Sequence, residues 1–160
     1  MSKPTCSPPT ASNNYYCDHL EIVLENLTRW TGYDLIADYG FARETLGQQI
    51  FAANFYLLSQ NHADDPILNY GNDRVLQLWE VSWDELTNMR SQDTAKPVDR
   101  STRLAMMERV KSQNYLSGYS GIRISKTGKE FKILDVTIWN VFARNGEPYG
   151  QAAWFKNIDR

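Results

Sequence analysis

Histidine and cysteine are scarce in this 160-residue chain, which has two of each: Cys6 and Cys17 near the N-terminus, and His19 and His62 far apart. Two thiols, one of them in a Pro-containing leader, make neither a disulfide framework nor a zinc site, which takes four closely spaced ligands. His62 lies beside Asp64 and Asp65, a pattern that reads as a polar turn satisfying local backbone groups ahead of a metal or acid–base site. No apolar run approaches the roughly 20 residues that cross a bilayer, and the mean hydropathy is -0.53. The first residues lack the apolar stretch of a secretory signal, so a cytoplasmic location is expected. Lysine and arginine form no cluster, the net charge is -2 and the pI is near 5.7. No phosphate-binding face is therefore expected, and neither nucleic acid nor membrane is an expected partner. A Gly-rich phosphate loop, a nucleophile elbow and a zinc signature are also missing, which leans the reading away from an enzyme.

The chain is 42% hydrophobic and 12% aromatic, enough for one domain with a real core. Residues 1–13, with Pro4, Pro8 and Pro9, read as a disordered leader. Over residues 15–30, Leu20, Val23, Leu24, Leu27 and Trp30 recur at three and four, the stripe of an amphipathic helix, with Thr31 and Gly32 as its stop. A less regular helical stretch over 35–49 is interrupted by Gly40 and Gly47, so residues 14–50 form a helical extension. Residues 51–59 and 67–70 read as two strands of a hairpin around a polar turn at 61–66. Residues 74–79 look helical, and Ser82 is the expected N-cap of a turn over 83–86. A polar loop over 88–97 leads to a helix starting at Asp99 or Ser101, with Leu104, Met107 and Val110 on one face. Strands over 119–125 and 130–142 flank a turn at 126–129, with Gly128 where a positive φ is wanted. A turn at 145–148 leads to a last strand over 151–155. The pattern is α+β, with strands split around a helical middle.

This order resembles the PAS sensor fold, a five-stranded antiparallel sheet around a helical middle, here preceded by N-terminal helices packed on the sheet. Residues 64–72 (Asp-Asp-Pro-Ile-Leu-Asn-Tyr-Gly-Asn), Leu78-Trp79-Glu80 and Trp83-Asp84-Glu85-Leu86 look like the PAS stretch in which a strand runs into an Asn, a helix and a Glu-Leu segment. Lys156-Asn157-Ile158-Asp159 is similar to the Asp-Ile-Thr ending of PAS domains, with Asn157 in place of the Asp. More specifically, residues 118–125 (Gly-Tyr-Ser-Gly-Ile-Arg-Ile-Ser), Gly128-Lys129-Glu130-Phe131, Ile138-Trp139-Asn140 and Gly150-Gln151-Ala152-Ala153 resemble the MEKHLA domain. The resemblance runs from about Leu20 to Ile158, with residues 51–160 as its PAS-like part. It implies a sensor-like role and brings no established reaction and no catalytic residues.

Strand alternation sketches a pocket. A turn centred on Thr127-Gly128 pairs Ser125 with Glu130, Ile124 with Phe131, Ile122 with Ile133 and Ser120 with Asp135. One face then carries Ile122, Ile124, Phe131, Ile133 and Trp139, with Ser120, Asp135 and Thr137 among them. Asn69 and Tyr70 are the nearest polar candidates by strand order, and these ten residues form the expected ligand-binding set. The opposite face shows Tyr119, Gly121, Arg123, Leu134, Val136 and Ile138, too apolar for open water. The helix over 15–30, or a second copy of the chain, is expected to cover it. No His follows His62 and no Cys follows Cys17, so neither His-ligated haem nor covalently bound flavin is expected, leaving a non-covalent small molecule or none. No output segment follows the closing motif, so action through an unidentified protein partner or a homodimer is expected. Two other classes stand beside the sensor. One is a small cone-fold isomerase, dehydratase or ligand carrier, with Asp135 as a buried general base and Tyr119 or Tyr149 as oxyanion donor. The hairpin ahead of the helical middle favours PAS over it. The other is a ligand-free interaction module with a filled core.

Overall fold

The structure is a computed structural model and describes residues 8–160. Residues 1–7 of the expected leader, Cys6 among them, lie outside the described residues. Ala11–Tyr16 is a 3₁₀ segment leading into α1 (Cys17–Thr31), α2 (Leu35–Tyr39) and α3 (Leu46–Phe51). Then follow β1 (Tyr56–Asn61), β2 (Leu68–Gly71), α4 (Asp73–Trp79), α5 (Trp83–Leu86), α6 (Arg100–Gln113), β3 (Tyr115–Ile124), β4 (Glu130–Phe142), β5 (Pro148–Phe155) and β6 (Asn157–Asp159). The sheet is antiparallel in the order β2-β1-β5-β4-β3, with β6 paired to β4. Among the described residues no helix is long and apolar enough to cross a membrane.

The strand expected from residue 51 starts only at Tyr56, because residues 46–51 are helical and bury Leu46 and Ile50. A short apolar run does not separate a buried helical turn from a strand. The stretch over 35–49 divides at Gly40, which caps α2 in the left-handed region. Ser82 does cap α5: its hydroxyl accepts from Glu85 N–H, and the Glu85 carboxylate accepts from Ser82 N–H.

Helix α1 covers one face of the sheet. Leu20, Val23, Leu24 and Leu27 pack in one cluster with Leu57, Trp139, Val141 and Ala152. Hydrogen bonds fix the docking as well: Trp139 Nε1–H donates to Val23 O at 2.9 Å and Trp30 Nε1–H to Asn140 O at 2.8 Å. The Asn26 amide donates to Phe142 O and accepts from Phe142 N–H, meeting β4 as a neighbouring strand would. Helices α4 and α6 cover the other face, where Trp79, Met106 and Val110 pack with Phe131, Ile133, Val136, Ile138 and Phe155.

Two backbone devices change the faces from the expected ones: the loop shifts the pairing by one residue, and a bulge in β4 then restores it at Tyr119–Val136 but reverses which side chains point to each face. The β3–β4 connection is a three-residue loop: Ser125 N–H donates to Lys129 O, and Gly128, at φ +92°, donates to Ser125 O. Arg123 therefore pairs with Phe131 and Gly121 with Ile133, while Ile122 and Ile124 pair with Lys132 and Glu130. Further along, Tyr119 pairs with Val136, leaving an extra residue of β4 at a bulge where Asp135 has φ +51°. A bulge reverses alternation beyond it. Val136 and Ile138 thus follow Phe131 and Ile133 onto the α4–α6 side, and Trp139 falls under α1. On α6 the inward stripe is Arg103, Met106 and Val110, whereas Leu104 is 59% exposed.

Candidate functional site

Between the sheet and α4–α6 lies a cavity of about 60 Å³. Its apolar wall includes Leu58, Leu68, Met106, Met107, Ile138 and Phe155. Its polar wall comes from five separate elements: Gln60 on β1, Ser91 and Thr94 on a 3₁₀ turn, Arg103 on α6, Arg123 on β3 and Gln151 on β5. The turn is held against β2 by backbone bonds, Leu68 N–H to Met89 O and Ser91 N–H to Pro66 O. This places the Ser91 hydroxyl, a residue of the nominal polar loop, inside the fold.

The polar groups form a chain. Arg103 Nη2 donates to Ser91 Oγ at 2.5 Å, and the Ser91 hydroxyl donates to Gln60 Oε1. Gln60 Nε2 donates to Gln151 Oε1 at 3.3 Å, and Gln151 Nε2 to Asn140 Oδ1 at 3.0 Å. Gln60, Gln151 and Asn140 are register partners across β1, β5 and β4. Asn140 Nδ2 then donates to Val110 O and Asn114 Oδ1 at the end of α6. The helix carrying Arg103 is thereby linked to the sheet at both its arginine and its C-terminus.

Arg103 and Arg123 are 9% and 6% exposed, and no carboxylate pairs with either among the described residues. Arg123 Nη1 donates to Ile122 O at 2.9 Å, and its guanidinium lies against Tyr119, 3.4 Å from the hydroxyl and 5.6 Å from the ring centroid. Burial, then the neighbouring Arg123, push the Arg103 guanidinium down to about 10, so it remains a cation at neutral pH. Trp79 also lines the cavity, and its buried indole N–H has no partner.

Of the ten expected site residues, Ile133 lines this cavity and Phe131 packs beside Trp79 at 5.1 Å between ring centroids. Ile122 is 43% exposed, Ile124 lies outside the cavity wall, and Ser120 and Asp135 are exposed, with Ser120 Oγ 3.4 Å from Asp135 N. Thr137 is half-buried beyond the bulge and Trp139 belongs to the α1 face. Asn69 and Tyr70 are buried on the α1 side as well, in a second polar cluster. There His19 Nδ1 meets the Tyr149 hydroxyl at 2.7 Å and Nε2 meets Ser59 Oγ at 3.0 Å, and the Ser59 hydroxyl donates to Asn69 Oδ1 at 2.6 Å. Tyr149 therefore faces His19, away from Asp135. Sequence reading missed Arg103 and Arg123. The spacing of Arg103 with Met106 and Val110 was a usable signal, hidden because an arginine is counted as surface. Arg123 could be found only with the register in hand. Among the described residues no three His, Cys, Asp or Glu side chains are grouped to hold a metal ion.

No curated protein matches this sequence. Solved structures that match include PAS domains and light-oxygen-voltage domains. The PAS domain of a protein from Colwellia psychrerythraea aligns with a TM-score of 0.57 at 13% identity, over 67% of this chain and 88% of that one. A PAS domain from a two-component sensor histidine kinase gives 0.52 at 20% identity, over 67% and 87%. A light-oxygen-voltage domain studied with a flavin analogue gives 0.55 at 12% identity, over 68% and 80%. At these identities the likeness is one of fold, and it agrees with the strand order and the helical middle described above. The family model of the MEKHLA domain matches residues 17–160, from the first residue of α1 to the end of the chain, and this protein, built on the PAS fold, belongs to the MEKHLA domain family.

Proposed function

We propose that this chain is a PAS-type sensor domain that holds a small molecule without a covalent bond in the cavity between the sheet and α4–α6. It passes on occupancy through a protein partner or its own oligomeric state. The observation that carries this reading is the cavity itself, an apolar chamber with a few convergent buried polar groups, which is the usual make-up of a ligand site. Neither cysteine nor histidine lines it, which supports a non-covalent ligand over a thiol-linked flavin or a His-ligated haem. At about 60 Å³ it is far smaller than the roughly 300–1,000 Å³ of pockets for drug-sized ligands, so the ligand is compact. The chain of bonds from Arg103 through Ser91, Gln60, Gln151 and Asn140 supports a route by which occupancy reaches the sheet.

Native mass spectrometry of freshly purified protein, followed by a thermal-shift screen of small molecules, tests the reading. The expected result is a retained small molecule or a compound that raises the melting temperature, with either signal lost in Ala153→Leu, which fills the chamber from β5. A bare mass together with no stabilising compound would overturn it.

A further inference from the structure

Two arginines close on one small chamber, and among the described residues no carboxylate supplies a counter-charge for them. A buried cation is costly unless it is paired, and two near each other add repulsion. Every ion pair among the described residues involves other side chains: Arg100 with Asp93, Lys96 with Glu130 and Lys126 with Glu85 are those nearest in sequence to the two arginines. Arg103 has one hydrogen-bond partner, Ser91 Oγ. Arg123 has a carbonyl and the Tyr119 hydroxyl. A guanidinium carries five N–H donors, so most of the donors on this pair are unused. The unpartnered Trp79 indole N–H lies in the same wall. The chamber therefore has a surplus of donors and of positive charge, and only an anion brings both the charge and the lone pairs that are missing.

The rest of the wall narrows the class of anion. Leu58, Leu68, Met106, Met107, Ile138 and Phe155 leave most of the chamber apolar. That suits a hydrocarbon tail and disfavours an inorganic ion, which would desolvate on every side. A volume of about 60 Å³ has no room for a nucleotide. We propose that the cavity binds a small organic carboxylate, its two oxygens held by Arg103 and Arg123 and its short apolar tail against Met106, Met107 and Phe155. This deepens the sensor reading and rests on it. The carboxylate takes donors of Arg103 that Ser91 leaves free, so occupancy fixes Arg103 at the head of the Arg103–Ser91–Gln60 chain.

The test uses the full chain in thermal shift and calorimetry with butyrate and benzoate, with the neutral isosteres butyramide and benzamide, and with sodium phosphate and chloride at matched ionic strength. The carboxylates should raise the melting temperature and the amides and inorganic salts should not. Arg103→Met and Arg123→Gln should each weaken carboxylate binding at least about tenfold, the loss of a charge-assisted bond. Arg103→Met should also leave the melting temperature of the unliganded protein unchanged or higher, since it removes an uncompensated charge while keeping the aliphatic arm. If that variant does not fold, Arg123→Gln and the charge-retaining Arg123→Lys carry the comparison, with Lys expected to bind better than Gln. Amides binding as well as carboxylates would overturn the anion assignment and leave the sensor reading standing. Phosphate or chloride stabilising as strongly as butyrate would overturn the carboxylate class. No response to any compound, together with a bare native mass, would overturn both.

Discussion

Asn72 shows how much one side chain can hold. It is fully buried between β2 and α4. Its Oδ1 accepts from Leu57 N–H, its Nδ2 donates to Ile50 O and Phe55 O, its backbone N–H donates to Leu57 O, and its carbonyl accepts from Val75 and Leu76 N–H at the start of α4. It thus joins the end of α3, the start of β1 and the start of α4. Asn72→Ala leaves the Leu57 N–H and the Phe55 carbonyl short of a partner, while Ile50 O keeps its bond from Ala53 N–H; at about 1–3 kcal/mol for each buried group the variant is expected to destabilise by at least about 2 kcal/mol in urea unfolding. Asn72→Asp keeps the acceptor for Leu57 and sets a carboxylate against two carbonyls, so it should fare no better. A loss below about 1 kcal/mol in both would mean that the three segments are held by other contacts. The sequence marked this Asn within the PAS-like stretch, because its place after a strand and before a helix is a local pattern. Its partners lie 15 to 22 residues away and left no local trace. Arg103 was hidden for a related reason: its side chain is called polar, yet its arm fills an inward position of α6 that periodicity assigned to Leu104.

Among elements, α1 and the β3–β4 hairpin show opposite degrees of legibility. The stripe of Leu20, Val23, Leu24 and Leu27 was readable because it is local and follows the helical period, and Gly32, at φ +78°, closes the helix as expected. All four residues are buried against the sheet. The hairpin was located correctly, but its faces were not, because a three-residue loop and the bulge at Asp135 each shift the alternation by one. The hairpin has two irregularities, each resting on a conformation that composition does not announce: φ is +51° at Asp135 on β4, and +72° at Gly118 on β3, where the pairing shifts again between Tyr119 and Leu116. The hairpin tip is in turn tied to α4, since the Ser125 and Thr127 hydroxyls both donate to Glu80 at 2.7 Å and Lys126 N–H donates to Trp79 O. These bonds hold the Glu80 carboxyl below its ordinary range. If α1 is an integral cover of the sheet, Leu24→Ala or Leu27→Ala should each cost about 2–5 kcal/mol, the range for emptying a buried leucine site. Chemical denaturation checks this, and a loss under about 1 kcal/mol at both positions would mean that the helix does not pack there in solution.

At the scale of the whole molecule, the sheet separates two buried polar systems, and adjacent residues of β1 serve one each: Gln60 joins the arginine chamber and Ser59 joins the histidine cluster under α1. The two systems differ in how complete they are. The arginine side has donors and charge to spare, whereas on the histidine side both ring nitrogens of His19 are bonded and the Tyr70 hydroxyl is the group left without a partner among the described residues. The Ser59 hydroxyl is spent on Asn69 Oδ1, so Ser59 accepts from His19 Nε2–H, and Nδ1 accepts from the Tyr149 hydroxyl. This direction of bonds requires the neutral ring. Burial pushes His19 down to about 4 from an ordinary 6.5 and Tyr149 up to about 12, so neither is charged near neutrality. Because His19 links α1 to β1 and β5, its protonation bears on the entire fold. In the unfolded chain the imidazole takes up its proton near pH 6.5, but in the folded chain only near pH 4. The stability that depends on the neutral ring is thus complete above pH 6.5 and lost progressively as pH falls toward 4. At about 1.4 kcal/mol per pH unit over that window the loss reaches about 3 kcal/mol. Carboxylates held low, such as Glu85 at about 2 beside Lys126, release their contribution only below their ordinary range near 4.5, so the interval from pH 6.5 to 4.5 reports mainly on the histidine. His62 is exposed and outside this cluster. Urea unfolding at pH 7.0, 6.0, 5.0 and 4.5 should show wild-type stability falling across that interval. His19→Gln should be less stable than wild type at pH 7 and nearly flat down to pH 4.5. Parallel slopes in the two proteins would mean that the histidine is solvated and titrates normally, and that α1 is not sealed against the sheet as the structure has it.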